Sequence, residues 1–357
     1  MMENNGRRYR VFVSYSHDDA ALVDNIRDHV ASLGLDTYSD RDLRGGLRFQ
    51  DQIELLIAHA RLFIPVITDA SMHRGWVQQE IGYAYGKHIP ILPVCIQQIP
   101  DGMIGQFQAI NLKNDLSDLT SRLTRSEIDT FVERSERECP PTYECARDHT
   151  ERGRLLTRYA DIVRGIGRYG CVRQKGALTS FHIPETPLVN RDWRDRYDSR
   201  NPMPSRDHLN SLKDERWALE RHTHQAGCRL IIEPFVREYR MHDLNSFRCR
   251  IQKLIQFLHS MSDDKVVTAV KSKHNCDRSQ SLTIVGDWFS AESVTVDATG
   301  YRHTIFTRNA ATIYAQHAEF EDELTTELSD QGINEQDSRV AAIDRLQEIV
   351  DQNDAPQ

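Results

Sequence analysis

Trp76 and Glu80 stand four residues apart in the stretch Gly75-Trp76-Val77-Gln78-Gln79-Glu80-Ile81. On a helix such a pair projects from one face, ring and carboxylate together. A carboxylate held against an aromatic, at a place that excludes water, stabilises positive charge that develops on a bound molecule. Val77, Ile81 and Ala84 form the apolar stripe that must face a sheet. Glu80 lies one residue off that stripe, so the spacing predicts a position at its flank rather than on the solvated back. Most glutamates on helices are ordinary surface residues, and the pair gains meaning only from what surrounds it.

The elements around it alternate. Residues 9–16 are β-branched or aromatic at alternate positions and read as a buried strand. Ser16-His17-Asp18-Asp19 opens a helix, with Ser16 as cap, and Leu22, Val23, Ile26, Val30 and Leu33 follow at helical spacing as far as Gly34. A short strand, Leu35 to Ser39, precedes a polar loop from Asp40 to Arg48 that contains Gly45-Gly46. A second helix carries Ile53, Leu56, Ile57 and Ala60, and Leu62 to Ile67 is a strand. The Trp76–Glu80 helix is expected over 74–87. Ile89 to Ile96 reads as a fourth strand, although Pro93 is awkward inside it; 109–112 is a fifth, and 116–137 a charged helix. Alternation of this kind predicts a parallel sheet with helices on both faces. Ligands bind beyond the carboxyl ends of such strands, where Tyr15, Ser16, the glycine loop and the approach to Trp76 all lie.

The order of these features resembles the Toll/interleukin-1 receptor (TIR) family over about the first 135 residues. The resemblance is carried by Val11-Phe12-Val13-Ser14-Tyr15-Ser16, by the Asp40–Arg48 loop ending at Phe49, by Gly75 to Ala84, and by Ile89-Pro90-Ile91-Leu92-Pro93-Val94. It implies a flavodoxin-like fold and one of two roles: cleavage of the nicotinamide–ribose bond of NAD, or assembly through TIR–TIR contacts. NAD-cleaving members carry a glutamate at the place of Glu80, which makes Glu80 the expected catalytic residue. NAD is then the substrate, and no separate cofactor is expected. Breaking that bond needs no strong acid, because the departing base is already a good leaving group; an oriented carboxylate near the sugar suffices. Tyr15 and Phe49 resemble positions around the ligand, although each could equally be core; Trp76 is a core-edge aromatic, a wall of the glutamate site, or both; and Ser16 joins them as an expected binding residue. Some family enzymes place arginines directly after the aromatic of the first box, where this chain has Ser16 and His17. Arg41, Arg44 or Arg48 from the loop are the substitutes for pairing with pyrophosphate, Arg44 foremost, and Gly45-Gly46 would let the loop act as a lid.

Beyond Cys139-Pro140-Pro141-Thr142 the pattern changes. The expected organisation is a TIR domain over 1–138, a linker over 139–150, a second α/β or α+β domain over 151–330, and a terminal amphipathic helix and tail over 331–357. Helices are expected at 150–166, 244–261 and 310–328, and strands at 230–236, 266–270, 282–285 and 303–307. Residues 187–225 are dense in charge with little apolar period. Gly165-Ile166-Gly167-Arg168-Tyr169-Gly170 matches a dinucleotide fingerprint by letter, but it follows a helix rather than a strand, so it reads as a helix terminus and turn. His222-Thr223-His224 with Cys228 lacks the further ligands of a metal site and reads as surface histidines beside a buried cysteine. The polar-aromatic segments 287–292 and 300–308 are either a recognition surface or strand ends around a core.

Composition sets the outer limits. A net charge of −8, with 39% hydrophobic and 27% charged residues, describes an ordinary globular chain and argues against a nucleic-acid partner held by a global basic field. Seven cysteines without repeated spacing suit a reduced cytoplasm. No apolar run is long enough to span a bilayer. The leading expectation is an NAD-cleaving effector activated by homo-oligomeric assembly, with an unknown ligand or protein engaging the second domain; antiviral defence is implied by the resemblance alone. The competing expectations are a non-enzymatic adaptor and a ligand-sensing regulator.

Overall fold

Apolar strands that alternate with amphipathic helices leave little choice of architecture, and the computed structural model follows it in its first unit. The structure describes residues 9–42, 49–72, 74–98, 102–138, 143–176, 206–234, 244–271, 281–295 and 302–352. The chain divides into Met1–Thr142 with Arg308–Ala310, and Tyr143–Thr307 with Ala311–Gln357.

In the first unit, β1 (Arg10–Ser14), β2 (Asp36–Tyr38), β3 (Leu62–Ile67), β4 (Val94–Ile96) and β5 (Ile110–Leu112) form a parallel sheet in the order β2-β1-β3-β4-β5. That order is flavodoxin-like, and it reverses direction between β1 and β3. The helices are α1 (Ala20–Ser32), α2 (Phe49–His59), α3 (Asp69–Met72), α4 (Gly75–Gly86), α5 (Leu119–Arg122) and α6 (Arg125–Glu138). Strand alternation sorts the core. Val11, Val13 and Tyr15 share a cluster with Val23, Ile26 and Val30 of α1, while Phe12 stacks on Phe63 on the other face, with ring centroids 5.7 Å apart.

Two boundaries differ from expectation for visible reasons. The fourth strand begins only at Val94, because Pro93 has no N–H for the ladder; its carbonyl instead accepts from Ile110 N–H at 2.8 Å. The charged helix is broken at Thr124, whose Oγ1 accepts the Glu127 N–H at 3.3 Å while Glu127 Oε2 accepts the Thr124 N–H at 3.1 Å. That reciprocal capping starts a new helix where a continuous one was expected.

The second unit holds a mixed sheet, β6-β12-β11-β10-β7-β8-β9. Its strands are β6 (Glu144–Ala146), β7 (Val172–Gly176), β8 (Cys228–Ile232), β9 (Val266–Val270), β10 (Ser281–Val285), β11 (Phe289–Thr295) and β12 (Arg302–Thr307). Its helices are α7 (His149–Gly165), α8 (Arg206–Ala226), α9 (Leu244–Ser260), α10 (Ala310–Asp330) and α11 (Ser338–Gln352). β6 and the start of α7 draw on residues 143–150, expected to be linker, and α11 packs within the unit by burying Ala342, Leu346, Ile349 and Val350.

α8 escaped the sequence pattern because its inward side is polar: Ser211, Glu215, His222 and Thr223 are buried there beside Ala218 and Leu219. Glu215 is fully buried and meets Arg152 of α7, whose Nη1 lies 2.8 Å from each carboxylate oxygen. Gln174 of β7 and Arg152 both donate to Thr283 Oγ1, at 3.3 and 3.5 Å. On the opposite face of the sheet, Ile313, Phe320, Leu324 and Leu328 of α10 pack on Ile231, Ala269, Leu282 and Ile284. Arg173–Glu321 and Lys175–Glu323, each at 2.6 Å, flank that contact.

The segment that resembled a dinucleotide fingerprint ends α7 and turns into β7, with Gly167 at φ 73°. Its last glycine, Gly170, lies so close to Gly286 that a Cβ there would sit 2.5 Å from the Gly286 nitrogen. His222 is buried rather than at the surface. Its Nδ1 accepts the Gly170 N–H at 3.1 Å and its Nε2 lies 2.9 Å from the Ala160 carbonyl. Two backbone partners fix the neutral ring with its proton on Nε2, and burial lowers its pKa further. Among the described residues no cluster fit to hold a metal is present, and no helix is long and apolar enough to cross a membrane. Trp288 and Phe289 are buried at the β10–β11 turn, so this part of the supposed recognition surface is core; Gly300 and Tyr301 lie outside the described residues.

The Arg152–Glu215 pair yields a stability prediction. Removing one partner of a buried ion pair strands the other charge, at a cost of roughly 3–5 kcal/mol, whereas replacing both with apolar groups is often neutral. Urea denaturation of the full chain should therefore show a large loss for Glu215→Ala. The loss should be much smaller for the double substitution Arg152→Met/Glu215→Leu.

Candidate active site

Ser14 is the last residue of β1 and, by alternation, points with Phe12 away from the α1 side of the sheet. α4 starts at Gly75 and places Glu80 in its second turn, so that the carboxyl group meets this serine. Ser14 Oγ donates to Glu80 Oε2 at 2.5 Å, and the two residues are 1% and 5% exposed. Glu80 is thus a buried residue of the strand–helix junction, deeper than the flank position its spacing predicted. Trp76, one turn earlier and half-buried, also donates a hydrogen bond to the carboxylate. The fold thus brings Trp76 and Glu80 together.

Burial pushes the Glu80 pKa up from 4.5 to about 7, against the opposing hydrogen bonds from Ser14 and Trp76 and with a further upward push from the Asp40 carboxylate. A carboxyl group poised near neutrality changes charge with small changes around it.

Tyr15 occupies the other side of the same strand end. It is 6% exposed, with the Arg41 guanidinium 5.3 Å from its ring centroid and His17 edge-on at 6.1 Å. Burial first, and Asp40 second, raise its pKa to about 12, which keeps the phenol protonated. Asp40 follows β2 and lies 3.3 Å from His17 Nε2. It influences both Tyr15 and Glu80 and so marks the edge between the two sides. Ser16 is buried as a cap, its Oγ accepting the Asp18 N–H at 3.4 Å. Its hydroxyl is a structural element of the loop. Behind these residues Thr68 donates to Asp19 at 2.5 Å and Arg74 pairs with Asp18 at 2.7 Å, which fastens the loop after β1 to the segments entering α3 and α4.

Phe49 begins α2, and its side chain lies outside the described residues. So do Arg44 and the Gly45-Gly46 loop. Arg41 is placed, and Asp24 holds it at 2.7 Å. Ser14 and Asp40 were missed as site residues. Ser14 had a signal: a lone hydroxyl among apolar residues at the end of a central strand requires a partner.

Residues 11–125 match the family model described as TIR domain. The N-terminal unit is a TIR domain. Two solved structures align with the chain at low identity. One is a response regulator receiver domain protein from Bacillus halodurans c-125, 16% identical, covering 36% of this chain and 97% of its own, with a TM-score of 0.22. The other is a metazoan TIR-STING receptor from C. gigas in complex with 2',3'-cGAMP, 14% identical, covering 97% of this chain and 85% of its own, with a TM-score of 0.28. Neither superposition carries a conclusion about the second unit. No curated protein matches the chain.

The buried carboxyl of the TIR domain makes stability depend on pH with a definite sign. The folded state holds the Glu80 proton up to about pH 7, and the unfolded chain releases it near 4.5. Stability from this group is therefore complete below pH 4.5, falls between the two values, and is lost above pH 7. Glu80→Gln keeps an acceptor for Ser14 and cannot ionise. It should be more stable than the parent at pH 8, by about 3 kcal/mol at most, with the difference closing toward pH 5. Paired urea denaturation at the two pH values checks it; an equal difference at both would overturn the assignment.

Proposed function

We propose that the TIR domain cleaves the nicotinamide–ribose bond of NAD, with Glu80 as the catalytic carboxylate. The observation that carries the proposal is a buried carboxyl group at the carboxyl end of the central strand, beside the point where the sheet order reverses. Ligands of open α/β sheets bind in that crevice. In the reaction the C–N bond breaks and its electron pair goes to the nicotinamide nitrogen, cancelling the positive charge there. The ribose carbon becomes an electron-poor oxocarbenium centre. Ionised Glu80 stabilises this centre from a dry setting in which its field is strong. Water then adds to the carbon and releases a proton, giving ADP-ribose; capture by a hydroxyl of the same molecule gives a cyclic product. Nothing in this sequence of steps requires Glu80 to transfer a proton.

Trp76 supports the site twice, as a hydrogen-bond donor to the carboxylate and as an apolar wall. Tyr15 and Arg41 stand on the far side of the strand end, where Arg41 would take a phosphate by exchanging its Asp24 partner for the ligand. We further propose that activity rises with assembly of protomers through TIR–TIR contacts, and that the second unit provides the means of assembly or the response to an activating ligand or protein. The apolar face of α11 is buried within its own unit, so another surface must serve any assembly role. A role in antiviral defence, in the cytoplasm, belongs to the same reading.

Nicotinamide release from NAD by the purified full chain, over a wide range of protein concentration, tests the proposal. Glu80→Ala and Glu80→Gln should each lower the rate by about 100-fold or more. Activity retained in both variants would remove Glu80 from the chemistry. No release by the parent chain at any concentration would favour the adaptor role.

A further inference from the structure

We propose that Ser14 is a positioning residue for Glu80: its hydroxyl holds one carboxylate oxygen and thereby presents the other to the bound sugar. What the carboxylate does rests on the NAD reading above; how it is held does not.

A hydroxyl at the end of a central strand, 1% exposed, is costly unless it is bonded. Ser14 makes its bond to Glu80 Oε2 at 2.5 Å, across 66 residues of sequence. Nearby polar groups are engaged otherwise: Asp19 with Thr68, Asp18 with Arg74, and His17 with Asp40. Among the described residues, three neighbours act on the Glu80 carboxyl group: Ser14 from β1, Trp76 from its own helix, and Asp40 from the turn after β2. The first two donate hydrogen bonds and favour the charged form. Asp40 opposes it by repulsion. Among the described residues no cation is paired with Glu80, so hydrogen-bond donors are what hold its charge and its orientation. A carboxylate has two oxygens in a fixed plane. Anchoring Oε2 on the rigid central strand removes the freedom of the group to turn, which is how a supporting shell sharpens a reacting one.

Two consequences separate this role from simple packing. Ser14→Ala removes a donor to the ionised form, so Glu80 must hold its proton to higher pH. The acid limb of the rate profile should then move upward by about one pH unit, giving about a tenfold loss near pH 6 that closes above pH 8.5. Ser14→Thr keeps the hydroxyl and should keep the parent's limb. A loss in Ser14→Ala that is equal at every pH would indicate packing alone and overturn the proposal.

The experiment has an arm that needs no turnover. Carboxyl resonances of the full chain, labelled with carbon-13 at glutamate, give the Glu80 titration directly, and Glu80→Gln identifies the signal. The Glu80 midpoint should rise in Ser14→Ala and stay in Ser14→Thr. An unchanged midpoint in Ser14→Ala would overturn the positioning role. A raised midpoint in a protein whose parent releases no nicotinamide would uphold that role while removing the NAD reading.

Discussion

Taking the Glu80 carboxyl out of water is unfavourable unless donors replace the hydration it loses. In this fold the replacement comes from two directions, a strand that ends in Ser14 and a helix whose first turn carries Trp76. The Ser14 donor depends on the sheet order: β1 must be central, and α4 must follow β3, for a serine and a glutamate so distant in sequence to touch. The stacked Phe12–Phe63 pair joins those two strands one step behind the contact. The chemistry proposed for the site is thus an outcome of strand register, since a slip of one residue would turn Ser14 to the opposite face.

Asp40 gives the site its electrostatic tension. It lies beside Tyr15 and His17, and its charge is felt at Glu80. A second carboxylate in a partly buried place disfavours ionisation of the first, and a cationic substrate, as in the proposed reaction, would offset that repulsion. NAD carries its positive charge on the nicotinamide ring. Binding that ring beside Glu80 would favour the charged carboxylate at the moment it is needed, and the charge would be most strongly placed when the sugar becomes electron-poor.

The parallel sheet of the first unit was legible because its strands are apolar and its helices carry regular stripes. Glu80 was legible as a candidate, but its depth was not. Helical spacing placed it beside the stripe of Val77, Ile81 and Ala84, and only the long-range contact with Ser14 draws it inward. In the second unit the failures at β7 and α8 share one cause. β7 reads Val-Arg-Gln-Lys-Gly, and α8 turns Ser211, Glu215, His222 and Thr223 inward. Hydrophobic periodicity is blind to a buried face built from polar groups that satisfy each other across elements. Gln174, Thr283, Arg152 and Glu215 form such a set, joined by side-chain hydrogen bonds between residues at least 63 positions apart in the sequence.

The contact between Gly170 and Gly286 has a consequence for how this unit tolerates change. The two backbones meet directly, and Gly286 also has φ at +54°. A methyl group on Gly170 would collide with the main chain of Gly286, 2.5 Å from its nitrogen, and main chain cannot rotate aside as a side chain does; one on Gly286 would stand 3.0 Å from the Gly170 Cα, on a backbone already at positive φ. A substitution at Gly170 is therefore not relieved by any second substitution at Gly286, because the atoms it meets are main chain. The contact acts as a ratchet on sequence variation, closing Gly170 to replacement and straining any replacement of Gly286 for as long as the turn before β7 rests on the β10–β11 hairpin.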